Sequence, residues 1–396
     1  MLTTPADIRD RALLALLGDI LRPDIAPAAI GALRLRLMQS GFSWQALVDL
    51  AREQGVLLPL TYALSGRTLL PPVPRSIANT ANHVGVRLTE AYAQHLSYRE
   101  ADRRQLEDIL RILDGIGTLP LLLKGARYLV APLGPWCAAR SMGDLDILVR
   151  SHDAARAFAA LKGAGYREMM EDGSSYGPAY AYHLPPLVHP DHALPVEIHV
   201  DALAAAGRPI MSTEQVWSRA TRDDGASFFV LPSRWHALHG LLHHQIQDRG
   251  HLQRVLSIKA LWEWTMLAQA FTEPDWEAIR THMRSAHALD VLDSWQLQAQ
   301  RLFGLDTPGD WGASAAARAH ADATFRKAFR PYWLRRTGTI ADQLRASFAR
   351  ETLASKYDVP LSRVSLLHAG RNLMDLLRRH RGNLLQRLTG LQDQLW

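Results

Sequence analysis

Cysteine is almost absent from this chain. Cys137 is the only one in 396 residues, so no intramolecular disulfide can form and a secreted disulfide scaffold is excluded. Its small neighbours suggest a packing role rather than a reactive thiol, and a cytosolic address is the expectation. No uncharged apolar run approaches the roughly 18 residues that a membrane span needs. The opening stretch, "MLTTPADIRDRALLALLGDI", lacks the basic-then-apolar order of a signal peptide and reads as an ordinary helix. Also missing are a Walker-type phosphate loop, Gly-x-Ser-x-Gly, His-Glu-x-x-His and any internal repeat. No short tract holds about five or more Lys and Arg, the length that marks a basic tail.

What remains is globular in composition. Hydrophobic residues make up 47% and charged residues 21%, enough apolar material for two or three domains with cores of their own. The formal net charge is +6, with 17 histidines uncounted. That balance suits an anionic substrate, nucleotide or nucleic acid, without choosing between them. The densest basic stretch, "LLRRHRGNLLQR", has the pattern of a solvated amphipathic helix face.

The texture changes twice along the chain, dividing it into a helical region (1–118), a strand-containing core (119–232) and a second helical region (233–396). In the first, "SWQALVDLAREQGVLLPLTYAL" reads as one helix capped by Ser43, and the prolines of "TLLPPVPRS" interrupt the pattern before a long helix over about 77–115. In the core, "TLPLLL" runs into "KGARYLVAPL", a turn entering a helix. "GDLDILV" is a strand, Ser151 is placed to cap the helix "HDAARAFAALKGAG", and "YREMM", "AYAYHLPPLVHP" and "LPVEIHV" are further strands. Beyond 233, "SRWHALHGLLHHQIQ" and "RVLSIKALWEWTMLAQAF" are amphipathic helices, "FGLDTPGDWGASA" is a loop, and helices continue to the end.

The informative oddity is "RSMGDLDILV". Two carboxylates sit in a run that otherwise suits a buried strand, and a buried carboxylate is costly unless paired or metal-bound. Strand geometry sends Asp144 and Asp146 to one face and Leu145, Ile147 and Val149 to the other. A cation between them would relieve their repulsion, and Mg²⁺, a hard ion that takes carboxylates and substrate phosphates, fits. In "LPVEIHV", Glu197 and His199 share a face, offering a third carboxylate on a neighbouring strand. "LLLKGAR" adds Lys124 and a helix-opening Gly125, which lets backbone N–H groups approach a phosphate.

Taken together, strand, Gly-led helix, Asp-x-Asp strand and later carboxylate strand resemble the core of the polymerase-β-type nucleotidyltransferases. "LLLKGARYLV", "RSMGDLDILV", "ALKGAGY" and "VEIHV" are similar to the largely uncharacterised bacterial nucleotidyltransferase family 5, over roughly residues 40–265. The resemblance implies an α+β fold, with a small mixed sheet between helical flanks. It implies Mg²⁺-dependent transfer of a nucleoside monophosphate from an NTP such as ATP, with release of pyrophosphate. The acceptor class stays open: small molecule, peptide or protein, or RNA. Asp144 and Asp146 would hold two Mg²⁺ ions, and Glu197 would bind the metal beside the acceptor and help remove its proton. Lys124 and the N–H groups near Gly125 would hold the triphosphate, and Arg140 would neutralise developing charge. His199, with His183, would line the nucleotide site. Two positions depart from the pattern: Lys124–Gly125 stands where the superfamily has Gly-Gly or Gly-Ser, and Lys259 stands where an acid is usual.

Two other classes of function remain open. His236, His239 and His243 fall on one helical face and, with His244, offer zinc-type donors for a metal-dependent hydrolase. The core could also be a catalytically silent nucleotide- or partner-binding module. Trp262 and Trp264 read as core.

Overall fold

The computed structural model describes residues 5–71, 83–169, 182–306, 312–329, 348, 353 and 361–374. Described residues through Phe329 belong to one compact unit, and 348, 353 and 361–374 to a second. In the second, a 3₁₀ turn at Leu361–Arg363 precedes a helical segment over 366–374. The basic stretch "LLRRHRGNLLQR" lies outside the described residues.

The first unit opens with α1 (Pro5–Leu21), α2 (Pro27–Leu37), α3 (Trp44–Glu53), α4 (Leu57–Gly66) and the long α5 (Val84–Gly115). Ser43 caps α3, its hydroxyl accepting from the Ala46 N–H at 3.3 Å. The single helix expected from Ser43 onward is two, because Gly55 takes a left-handed φ of +68° and turns the chain. The expected start of α5 near 77 lies outside the described residues.

The core alternates as anticipated: β1 (Leu121–Leu122), α6 (Lys124–Val130), β2 (Leu145–Leu148), α7 (Ala154–Gly163), β3 (Arg167–Glu168), β4 (Leu187–Val188) and β5 (Val196–His199). The order across the sheet is β1-β2-β5-β4-β3. The central pair β2 and β5 is parallel and the outer pairings are antiparallel, so the fold is α+β with a mixed sheet. Ser151 does not cap α7: it begins a 3₁₀ turn, Ser151–Asp153, and Asp153 stands at the N-cap without a side-chain bond to the helix.

Alternation gives the sheet two unlike faces. Leu145, Ile147 and Val149 of the β2 segment and Val196 and Ile198 of β5 point into a core with Leu106, Ile109 and Leu113 of α5, Ala126 and Leu129 of α6, and Ala157 and Leu161 of α7. Burying each large aliphatic side chain contributes about 1.5–3 kcal/mol, so this face fixes the register. A one-residue slip would carry the carboxylates into it. The other face carries Asp146, Glu197 and His199, and Leu148 on that side joins the larger helical core.

The remaining helices are α8 (Thr213–Arg219), α9 (Ser233–Leu242), α10 (Gly250–Gln253), α11 (Ile258–Ala268), α12 (Glu273–Ser285), α13 (Leu289–Phe303) and α14 (Ala315–Ala328). A π-helical turn, His243–Gln247, extends α9. α11 starts at Ile258 and packs on α9 and α13, with Trp262 and Trp264 buried in the core as expected. Among the described residues no helix is long and apolar enough to cross a membrane.

Candidate functional site

The parallel register between β2 and β5 builds the site. Asp146 lies opposite Glu197, and Leu148 opposite His199, so the residues two apart on each strand share one face. Ligand atoms of Asp146, Glu197 and His199 all lie within 4.8 Å of one another. Among the described residues this is the one group of three or more such donors that converges. Asp144, one residue before β2, is half-buried beside the group rather than a member of it.

The charge that compensates Asp146 comes from the chain itself. Asp146 is 1% exposed, and its Oδ1 accepts both from Lys124 Nζ at 2.9 Å and from His199 Nε2 at 2.8 Å. The second carboxylate, Glu197 Oε2, is 3.5 Å from the same His199 nitrogen. Burial alone would raise the Asp146 pKa; the Lys124 ammonium and the His199 hydrogen bond outweigh it and hold the carboxyl well below the usual range. The hydrogen bond from His199 likewise lowers Glu197. His199 is pulled down by burial, but its bonds to the two carboxylates leave it raised. Asp144 shifts the other way, raised by burial and by the negative charge of Asp146. The two carboxylates of the Asp-x-Asp motif therefore have opposite electrostatics.

Lys124 reaches Asp146 from the first residue of α6, at a left-handed φ of +41°. For a residue with a Cβ that region costs roughly 1–2 kcal/mol. Here the strain is offset by a buried ion pair.

Gly125, the second residue of α6, is closely overlaid by neighbouring side chains. The room above it is filled: a Cβ there would run into Arg140 Nη1 and come within 2.6 Å of Met142 Sδ. The missing side chain thus lets Arg140 lie across the start of α6. Gly125→Ala is expected to cost about 1–3 kcal/mol, the usual penalty for overpacking, read as a lower melting temperature and a displaced Arg140.

Arg140 is nearly enclosed. Its Nε donates to Glu263 Oε2 at 2.8 Å, and Tyr128 OH donates to Glu263 Oε1 at 2.8 Å. Its guanidinium also lies 5.6 Å from the centroid of the Tyr128 ring. Glu263, on α11, was not singled out from the sequence. The available signal was an acid between Trp262 and Trp264, a carboxylate in an apolar setting like Asp146. Lys259, one turn earlier on α11, donates to the Ser141 carbonyl at 3.0 Å and so ties the helix to the loop before β2.

The remaining candidates are placed as follows. His183 Nδ1 bonds the Leu184 carbonyl at 2.7 Å, and its ring stands 5.5 Å from that of His199. His239 Nε2 is spent on the Ala202 carbonyl at 2.9 Å, and burial drops its pKa to about 3. His243 and His244 both approach Asp248 Oδ2, at 3.3 and 3.8 Å. His236 packs on Tyr128. The histidine face does not converge on a metal among the described residues. Cys137 is buried and its thiol is pushed up to about 11 by that burial, in keeping with packing.

A mixed sheet with Asp-x-Asp entering one strand and Glu-x-His on its parallel neighbour, the carboxylates facing one another, is the arrangement that the sequence resemblance to nucleotidyltransferase cores implies. The comparison with known families agrees: the chain belongs to the family described as uncharacterised nucleotidyltransferase, whose model matches residues 40–304. That match extends through α11, α12 and all of α13. No curated protein and no solved structure matches the chain.

Proposed function

We propose that this protein is a divalent-cation-dependent nucleotidyltransferase, which moves a nucleoside monophosphate from an NTP to a nucleophilic acceptor and releases pyrophosphate. The observation that carries the reading is the convergence of Asp146, Glu197 and His199 on one face of the sheet, with Lys124 at its edge. The carboxylates of Asp146 and Glu197, oriented by His199, suit a divalent ion, and Asp144 stands beside them for a second. When bound, Mg²⁺ would stabilise charge on the attacking and leaving oxygens of an in-line displacement.

The chain's own groups account for the rest. Glu197, kept ionised by His199, takes the proton of the acceptor as its bond to the α-phosphorus forms. The bond from that phosphorus to the bridging oxygen breaks, and pyrophosphate leaves with the electron pair. Lys124 exchanges Asp146 for a phosphate oxygen, so that its charge passes from resting carboxylate to substrate. Arg140, fixed by Glu263 and Tyr128, meets the charge that develops on the phosphates. His199 holds Asp146 and Glu197 in a fixed relation.

Incubation with each α-labelled NTP, Mg²⁺ and cell extract tests this. Labelled product is expected from the wild type, absent with a chelator and reduced about 10²-fold in Glu197→Gln. One observation favours a second reading: Lys124 already neutralises Asp146, as in a silent nucleotide-binding module. NTP binding without transfer, indifferent to Glu197→Gln, would establish that reading instead.

A further inference from the structure

A cavity of about 260 Å³ opens behind Lys124 and Arg140, walled by the α9–π-turn segment and α11. Its lining includes Lys124, Arg140, His236, His243, Lys259 and Glu263. The acids on this wall are already committed, Glu263 to Arg140 and Tyr128, and Asp248 to His243 and His244. Lys259 differs from the other cations. Lys124 has Asp146 and Arg140 has Glu263, whereas the ammonium of Lys259 is held only by the Ser141 carbonyl, with no carboxylate in ion-pair reach among the described residues. Its stem lies over Gly55, in the turn between α3 and α4. His236 is 3% exposed and its Nδ1 has no hydrogen-bond partner among the described residues. A half-buried cation without a carboxylate partner, on the wall of a cavity that two further cations line, calls for an anionic occupant.

We propose that this cavity is a phosphate subsite, with Lys259 as its principal cation beside Lys124 and Arg140. The naming of phosphate rests on the nucleotidyl-transfer reading; the cationic site itself does not. The phosphate belongs either to the β,γ end of the NTP or to a phosphorylated acceptor.

Calorimetric titration of the full chain with inorganic tripolyphosphate, chelator present, tests the site without any turnover. Binding is expected, weakened at least about ten-fold in Lys259→Gln and kept within about three-fold in Lys259→Arg. On the wild type alone, tripolyphosphate should slow acetylation of Lys259 while leaving exposed Lys162 unaffected, a mass-spectrometric readout that needs no variant. Equal affinity in Lys259→Gln, or unchanged acetylation of Lys259, overturns the proposal. Competition between tripolyphosphate and a non-hydrolysable NTP assigns the phosphate to the donor; simultaneous binding assigns it to the acceptor. Lys259-dependent tripolyphosphate binding without label transfer would leave this subsite standing and the catalytic reading fallen. Label transfer with tripolyphosphate binding indifferent to Lys259 would do the reverse.

Discussion

Asp146→Asn is expected to abolish nucleotidyl transfer, by about 10³-fold or more, and to lower the stability of the protein as well. The first effect follows from removing a carboxylate from the three converging donors, since a bound metal contributes several kcal/mol to such a displacement. The second follows from what the side chain leaves behind. Lys124 Nζ and His199 Nε2 both bond Asp146 Oδ1. Breaking a buried pair by removing one charge costs roughly 3–5 kcal/mol, because the other charge stays buried without compensation. Asparagine keeps the volume and one acceptor oxygen, so the loss should fall at the lower end. Activity and melting temperature of the purified variant check the two effects separately.

Asp144→Asn should behave differently. Its carboxyl is raised by burial and by the charge of Asp146, so its ionised form is a burden on the fold. Removing that charge should leave the melting temperature unchanged or higher while transfer still falls. The pH dependence separates the two residues again. Asp146, depressed in the folded state, supplies stability that is complete above the ordinary carboxylate value of 3.8 and is lost as pH falls through its lower folded value. Asp144, raised in the folded state, imposes a cost that is complete above its folded value and disappears as pH falls toward 3.8. Asp146→Asn should therefore flatten the acid limb of the stability curve, and Asp144→Asn should steepen it. Equal shifts in both variants would contradict the assigned asymmetry.

The placement of Asp146, Glu197 and His199 was legible because it depends on a local rule. Alternation decides which side chains share a face, and apolar Leu145, Ile147, Val196 and Ile198 decide which face is buried. The parallel pairing that sets Asp146 against Glu197 is a long-range fact; it became readable only through the resemblance of the whole strand order. The compensating charge was harder to foresee. Lys124 bonds Asp146 directly, because α6 begins in a left-handed turn that aims its first side chain back at β2. Nothing in the spacing of Lys124 and Asp146 distinguishes that turn from an ordinary helix start. The helix break at Gly55 and the missing cap at Ser151 were lost for a similar reason, since hydrophobic period reports facing and not local turns.

Glu263→Ala is expected to be the most damaging substitution outside the sheet. Arg140 and Glu263 are 13% and 16% exposed and bonded at 2.8 Å, and Tyr128 OH shares the carboxylate. The pair joins α11 to the segment that delivers Arg140 to the site, so deleting the acid strands a guanidinium and a phenol together. A loss of roughly 3–5 kcal/mol follows, large against the 5–15 kcal/mol that holds a typical domain folded. Glu263→Gln retains acceptor geometry without the charge and should cost clearly less in denaturant titration. NTP affinity should fall in both variants, because an Arg140 released from Glu263 is no longer held across Gly125. Wild-type NTP affinity in a folded Glu263→Gln protein would mean that Arg140 supports the fold alone and has no part in holding the phosphates.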